Sequence, residues 1–218
     1  MNCASMIVGK TVGDAWVKYL RKVIKFGKFY HDEDDRILEL DDIVLSIEDD
    51  IENDPILEKY ADMHLKELYL QKMQSTEIVK ELNASYGKRI YEQLGVNQYQ
   101  WCYQRLKDKP ESKAATMSLL LPDDPGPRIP CLNIIDFKLR NGILYTKTFF
   151  RSQNAMNAYG NLCALFWLSD NMARDLNVKR GNLTCFISNG HIYDYKLEDA
   201  RRIISDMEGQ VFYDVNED

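Results

Sequence analysis

The chain has 218 residues, 45% of them hydrophobic, with 28 basic and 34 acidic residues and a net charge of −6. That length can bury one large core or two small ones. The acidic balance argues against a protein devoted to nucleic acid, but it leaves room for a small anionic ligand in a local basic pocket. The apolar runs are too short for a membrane span, and the N-terminus shows no secretory pattern. The five cysteines (Cys3, Cys102, Cys131, Cys163, Cys185) are odd in number and widely spaced. They form no Cys-x-x-Cys metal pattern, so the expectation is reduced thiols in a cytoplasmic protein without a metal.

In chain order, Thr11 to Ile24 reads as a helix, because Val12, Ala15, Trp16, Tyr19, Leu20 and Val23 recur at helical spacing and Gly27 can end it. His31 to Asp54 is strongly acidic and reads as a solvated face. The alternative, a metal site, lacks the spacing of a calcium loop. Within that stretch Ile37 to Ile47 reads as a strand. Asp54-Pro55 then opens one long helix, Ile56 to Gln74, with Leu57, Tyr60, Ala61, His64, Leu65 and Leu68 on one face. A further helix, Asn97 to Lys107, stops before Pro110.

The C-terminal half is mixed. Ala115 to Leu121 and Leu132 to Leu139 read as strands, separated by a turn-dense loop at Pro122–Pro127. Asn141-Gly142 is a hairpin turn, and Ile143 to Phe150 is the returning strand. Ala155 to Leu176 is helical, with Phe166 and Trp167 in the core. Asn182 to Asn189 is a strand that delivers Gly190-His191-Ile192-Tyr193. No linker divides the chain. The expected architecture is a single α+β domain over 1–218, with helices covering a mixed, mostly antiparallel sheet.

The chemistry centres on Cys131, which follows Pro130 and lies a short hairpin away from Arg151-Ser152. A thiolate is a strong nucleophile, and a guanidinium with a hydroxyl suits a phosphate. A lone cysteine is more often a small buried hydrophobe, and a lone arginine a surface charge. His191 and Tyr193 share a strand face, either as partners for one ligand hydroxyl or as a packed core pair. Tyr86-Gly87 reads on its own as a turn. Asn161 can close a helix turn or read a base edge.

The order Tyr86-Gly87, Ser112-Lys113, Pro130-Cys131, Arg151-Ser152, Asn161, His191-Ile192-Tyr193 resembles the thymidylate synthase superfamily, which includes the pyrimidine nucleotide hydroxymethylases. The likeness runs from about Ala84 to Asp199. The string Ser85-Tyr86-Gly87-Lys88-Arg89-Ile90 is most like its compact archaeal-type branch. The resemblance implies that Cys131 adds to C6 of the pyrimidine and that Tyr86 lines the site beside it. Arg151 and Ser152 would bind the phosphate, and His191 and Tyr193 the sugar hydroxyl. Asn161 would read the uracil edge, given one deletion in the preceding loop. It also implies a homodimer formed through the sheet, in which Lys113 serves the partner's site.

The chain departs from the family at several places. Ser112-Lys113-Ala114 stands where the family has Ser-Arg-Arg, so a lysine point charge replaces an arginine fork; Arg36 is a candidate to complete the phosphate grip. Asn154 replaces an aspartate that bonds the folate. Glu67 is the nearest match to the catalytic glutamate. The family's C-terminal tail has no counterpart in Glu208 to Asp218. The leading expectation is one-carbon transfer from 5,10-methylenetetrahydrofolate or a related pterin to C5 of deoxyuridylate, giving thymidylate. The alternatives are 5-hydroxymethylation of deoxyuridylate or deoxycytidylate, and a diverged nucleotide- or RNA-binding relative without turnover.

Overall fold

The computed structural model describes residues 4–121, 124 and 129–208. The expected loop at Pro122–Pro127 and the C-terminal tail therefore lie almost entirely outside the described residues. A seven-stranded sheet forms the centre, in the order β1 (Ser5–Gly9), β3 (Asp35–Ile47), β7 (Lys179–Tyr193), β6 (Ile143–Asn154), β5 (Leu132–Arg140), β4 (Thr116–Ser118), with β2 (Lys28–Asp32) also on β3. β1 runs parallel to β3 and β6 parallel to β7; the other pairings are antiparallel. The α+β expectation of a mostly antiparallel mixed sheet under helices holds.

Helix α1 (Val12–Phe26) begins where the Thr11 side chain accepts from Asp14 N at 3.2 Å. Its stripe of Trp16, Tyr19, Leu20 and Val23 is fully buried against β1 and β3. At this density, deleting one such large side chain costs about 3–5 kcal/mol. α6 (Ala158–Asp175) crosses over between the parallel strands β6 and β7 and lies on the same face of the sheet. The Asn141-Gly142 turn forms as expected, with φ of 52° and 74°, values that asparagine and glycine tolerate. Among the described residues, no helix is long and apolar enough to cross a membrane.

Several expectations are corrected. The long helix over 56–74 is two helices, α2 (Pro55–Tyr60) and α3 (Met63–Gln74). Ala61 is extended and Asp62 caps α3 by accepting from Leu65 N at 3.0 Å, while the Tyr159 hydroxyl accepts from Asp62 N and donates to Asp62 O. Tyr86-Gly87 opens a short helix, α4 (Gly87–Tyr91), ahead of α5 (Gln98–Asp108). The acidic run at Asp32–Asp35 closes the β2–β3 hairpin, with Glu33 at φ 52°. The strand expected at Ala115–Leu121 shortens to Thr116–Ser118, whereas the one at Asn182–Asn189 extends from Lys179 to Tyr193. α7 (Leu197–Glu208) adds a helix against α1, burying Leu197, Ala200, Ile203, Ile204 and Met207 at helical spacing.

The sheet is irregular along its strands and apolar on its uncovered face. The alternation of inward side chains slips by one residue at a common level in three strands. Inward residues run Thr146, Thr148, Phe150, then Gln153 in β6, and Leu183, Cys185, Ile187, then Gly190 in β7. At that level Arg151 and Ser188 are skipped in the β6–β7 pairing, and Asp42 and Ser188 in the β3–β7 pairing, where Asp42 has φ 54°. A Cβ on Gly190 would lie 2.3 Å from the Tyr19 hydroxyl, so the strand passes close under α1. The face away from the helices carries an apolar row. Met6, Val44, Phe186, Phe149 and Ile134 are paired in register across five strands. Phe186, Phe149 and Ile134 remain 43%, 38% and 40% exposed.

Candidate active site

Cys131 stands immediately before β5, half-buried, on the strand that pairs with β6. Arg151 N donates to Cys131 O at 2.9 Å, so the backbone ladder itself sets the thiol beside the guanidinium. Arg151 Nη2 lies 3.9 Å from Cys131 Sγ and donates to Ile129 O at 2.9 Å, while Nε donates to Pro130 O at 3.3 Å. Three contacts to one short segment hold the side chain over the thiol although it is exposed. The β5 register breaks between Leu132 and Ile134, and Asn133 Nδ2 reaches back to Pro130 O at 2.8 Å. That irregularity falls right at the start of the strand, where Cys131 packs partly against the core.

Beyond the common slip, Ser152 Oγ is 3.3 Å from His191 Nδ1. Burial lowers the His191 imidazole below its ordinary range, helped by the Arg151 charge and opposed by Asp32, so the ring is neutral at pH 7. The Tyr193 ring meets the His191 ring edge-on at 5.2 Å and stacks on Tyr195 at 5.4 Å. Burial raises the Tyr193 phenol, with Tyr195, Asp32, Asp35 and Cys131 adding to it.

From the helical side, Tyr86 is buried and its hydroxyl accepts from Leu132 N at 3.3 Å, one residue from the thiol. Burial pushes its phenol well above its ordinary value, and the Cys131 thiol pushes further. Asn161, in the first turns of α6, is buried and its Oδ1 has no partner among the described residues. An unpaired buried acceptor costs roughly 1–3 kcal/mol, which a ligand donor would recover. Asn154 ends β6, where its Oδ1 accepts from Met156 N at 3.0 Å and starts the turn into α6.

Other expected site residues sit further out. Glu67 is exposed on α3, about 200° around the helix from Tyr69, the residue of that helix that faces Gly160 of α6. Arg36 lies over the Phe29 ring at 3.9 Å and pairs with Asp194 at 3.5 Å, one residue before the Ile37–Tyr193 pair. Lys113 lines an open cavity of about 700 Å³ with Arg105, Lys109 and Ser112, away from the thiol's own strand pair. Arg105 Nε donates to Ser112 Oγ at 2.9 Å. Three basic side chains around one cavity suit an anion.

Two residues escaped sequence reasoning. Tyr69 and Lys72 of α3 both feel the Cys131 thiol electrostatically. Lys72 Nζ stands 4.0 Å from the Tyr86 ring centroid and 5.3 Å from that of Tyr69. The signal was available, since Lys72 continues the apolar stripe of Leu65 and Leu68 at the i+4 step.

The sequence profile of the family described as Thymidylate synthase matches residues 15–211. The chain therefore belongs to the thymidylate synthase family, a class of transferases. Its relatives place it with the archaeal-type branch. It is 28% identical over 204 residues to a Methanosarcina barkeri protein named "Putative thymidylate synthase", covering 91% of this chain and 94% of that one. A Methanothermobacter marburgensis protein of the same name is 33% identical over 123 residues, 55% of each chain. One from Methanocaldococcus jannaschii is 24% identical over 200 residues, 84% of this chain and 88% of that one.

Proposed function

We propose that the chain transfers a one-carbon unit from methylenetetrahydrofolate, or a related pterin, to C5 of deoxyuridylate through a Cys131 adduct. The supporting observation is the placement of Arg151. Its guanidinium stands 3.9 Å from the thiol, and the next residue, Ser152, reaches His191. One nucleotide can thus set its ring at Cys131 and its phosphate at Arg151 and Ser152, with its sugar hydroxyl toward His191 and Tyr193. Lys113, from a partner subunit, adds charge to the phosphate.

C5 of uracil is a poor nucleophile. When the Cys131 sulfur bonds to C6, the C5=C6 electrons move onto O4 as an enolate, and C5 becomes able to attack an electrophilic carbon. The positive charge of Arg151 favours the thiolate that begins the step. Asn161 accepts from the ring N3–H with its unpaired Oδ1 and donates to O4 as charge develops there. Tyr86 holds the backbone beside the thiol through Leu132 N. The cosubstrate supplies the one-carbon unit and, for methylation, the hydride that reduces it. Asn154 fits the pterin: its Oδ1 already accepts from Met156 N, and an amide oxygen has room for a second donor.

The homodimer would form through the face bearing Met6, Phe186, Phe149 and Ile134, because a contiguous exposed apolar row calls for a cover. The test is incubation with deoxyuridylate and methylenetetrahydrofolate, followed by mass analysis. Thymidylate is the expected product, and it should be lost in Cys131→Ala together with the covalent adduct to 5-fluorodeoxyuridylate. A 5-hydroxymethyl product would reassign the reaction. No product with either deoxyuridylate or deoxycytidylate would leave a binding protein.

A further inference from the structure

α3 brings a lysine, rather than a carboxylate, against Tyr86, the tyrosine that bonds the backbone beside the thiol. Glu67 of that helix is exposed, while the half-buried Lys72 lies against the Tyr86 and Tyr69 rings. The Tyr86 hydroxyl touches the backbone next to Cys131, and Tyr86 N donates to Lys72 O at 2.8 Å. The ammonium is therefore held against two rings, on α3 rather than on the β5–β6 pair that carries Arg151. Ring faces attract a cation but do not neutralise it, so its charge remains available to an anion nearby. Burial lowers Lys72 to about 8, against an opposing effect of the nearby Cys131 sulfur. At neutral pH it is mostly the cation.

Arg151 cannot do this work alone. In the proposed reaction it meets a phosphate dianion, which offsets its charge just when the thiolate must attack. We propose that Lys72 is a positioning residue for Cys131: a second cation, out of reach of the phosphate, that keeps the sulfur in its reactive form while the nucleotide occupies Arg151. This rests on the proposed function for its purpose, though not for its test.

The experiment is alkylation of Cys131 by iodoacetamide at pH 7, followed peptide by peptide by mass spectrometry, with and without saturating inorganic phosphate. It needs neither nucleotide nor folate. Lys72→Met should slow Cys131 modification about tenfold, with the larger loss when phosphate is present, and Lys72→Arg should restore most of the rate. Buried Cys102, Cys163 and Cys185 report on folding, since they react only in an opened chain. If Lys72→Met exposes them, Lys72→Gln serves instead. Wild-type alkylation in a well-folded Lys72→Met or Lys72→Gln protein would overturn the inference. A Lys72-dependent thiol in a protein that makes no thymidylate would uphold it and overturn the proposed function.

Discussion

Ser152 Oγ and His191 Nδ1 lie 3.3 Å apart and tie the parallel strands β6 and β7 together through their side chains. The neutral imidazole has one ring nitrogen engaged in this contact and the other available to a ligand hydroxyl. His191→Ala should therefore weaken deoxyuridylate binding by about 1–3 kcal/mol, roughly 5- to 150-fold in Kd. Calorimetric titration reads this directly, and an unchanged Kd would place the sugar elsewhere.

Asn161 should set the choice of base. Its buried Oδ1 waits for a donor, which uracil offers at N3–H, whereas cytosine has a lone pair at N3 and carries its donor at the 4-amino group. Asn161→Asp should move the ratio of kcat/KM for deoxyuridylate over deoxycytidylate toward cytosine, because a carboxylate accepts from the amino group. A wild-type preference for deoxycytidylate would show that Asn161 does not read the ring.

Lys113 should act across subunits. Cys131→Ala and Lys113→Ala proteins, each impaired alone, should regain activity on mixing, because half the exchanged dimers carry one site with both residues. Phe186→Asp, which puts a charge into the exposed apolar row, should abolish the recovery and yield monomers by light scattering. Recovery in the absence of dimers would contradict the shared site.

Asp50 should make stability depend on pH. Burial raises its carboxyl to about 6; Asp170 and Asp54 raise it further against the pull of Lys66 and Arg180. The unfolded chain gives up this proton near ~4, and the folded one holds it to the higher pH. Unfolding between those values releases a proton, so this group's contribution falls as pH rises from about 4 to 6. Asp50→Asn should gain stability relative to wild type over that interval. Urea titrations at pH 4.5 and 7 give the comparison, and an equal difference at both would refute it.

The legible parts of the fold were those whose signal is local. The stripe of α1 and the Asn141-Gly142 turn each announce themselves within a few residues. β2 did not, because all five of its residues are exposed and no alternation marks it. The break between α2 and α3 was hidden because its partner, Tyr159, is 97 residues away, while Tyr60 and Ala61 continue an apolar stripe. The site divided in the same way. Cys131, Arg151 and His191 could be read from short motifs and a family order, and the structure sets the first two side by side through a strand ladder. Lys72 was obscured because a lysine on an apolar stripe looks like noise until the thiol and two tyrosines around it are known.

The slip shared by β3, β6 and β7 restricts how the chain can change in length. A single deletion at Arg151, Ser188 or Asp42 would turn one strand's site residues over while its neighbours stayed put, placing Ser152 or His191 on the wrong face. Length changes at that level are viable only when all three strands change together. The turn at Ala155–Asn157 lies outside that ladder and is held instead by Trp16 Nε1, which donates to Ala155 O at 2.9 Å, so a length change there ahead of Asn161 would leave the register of the three strands intact.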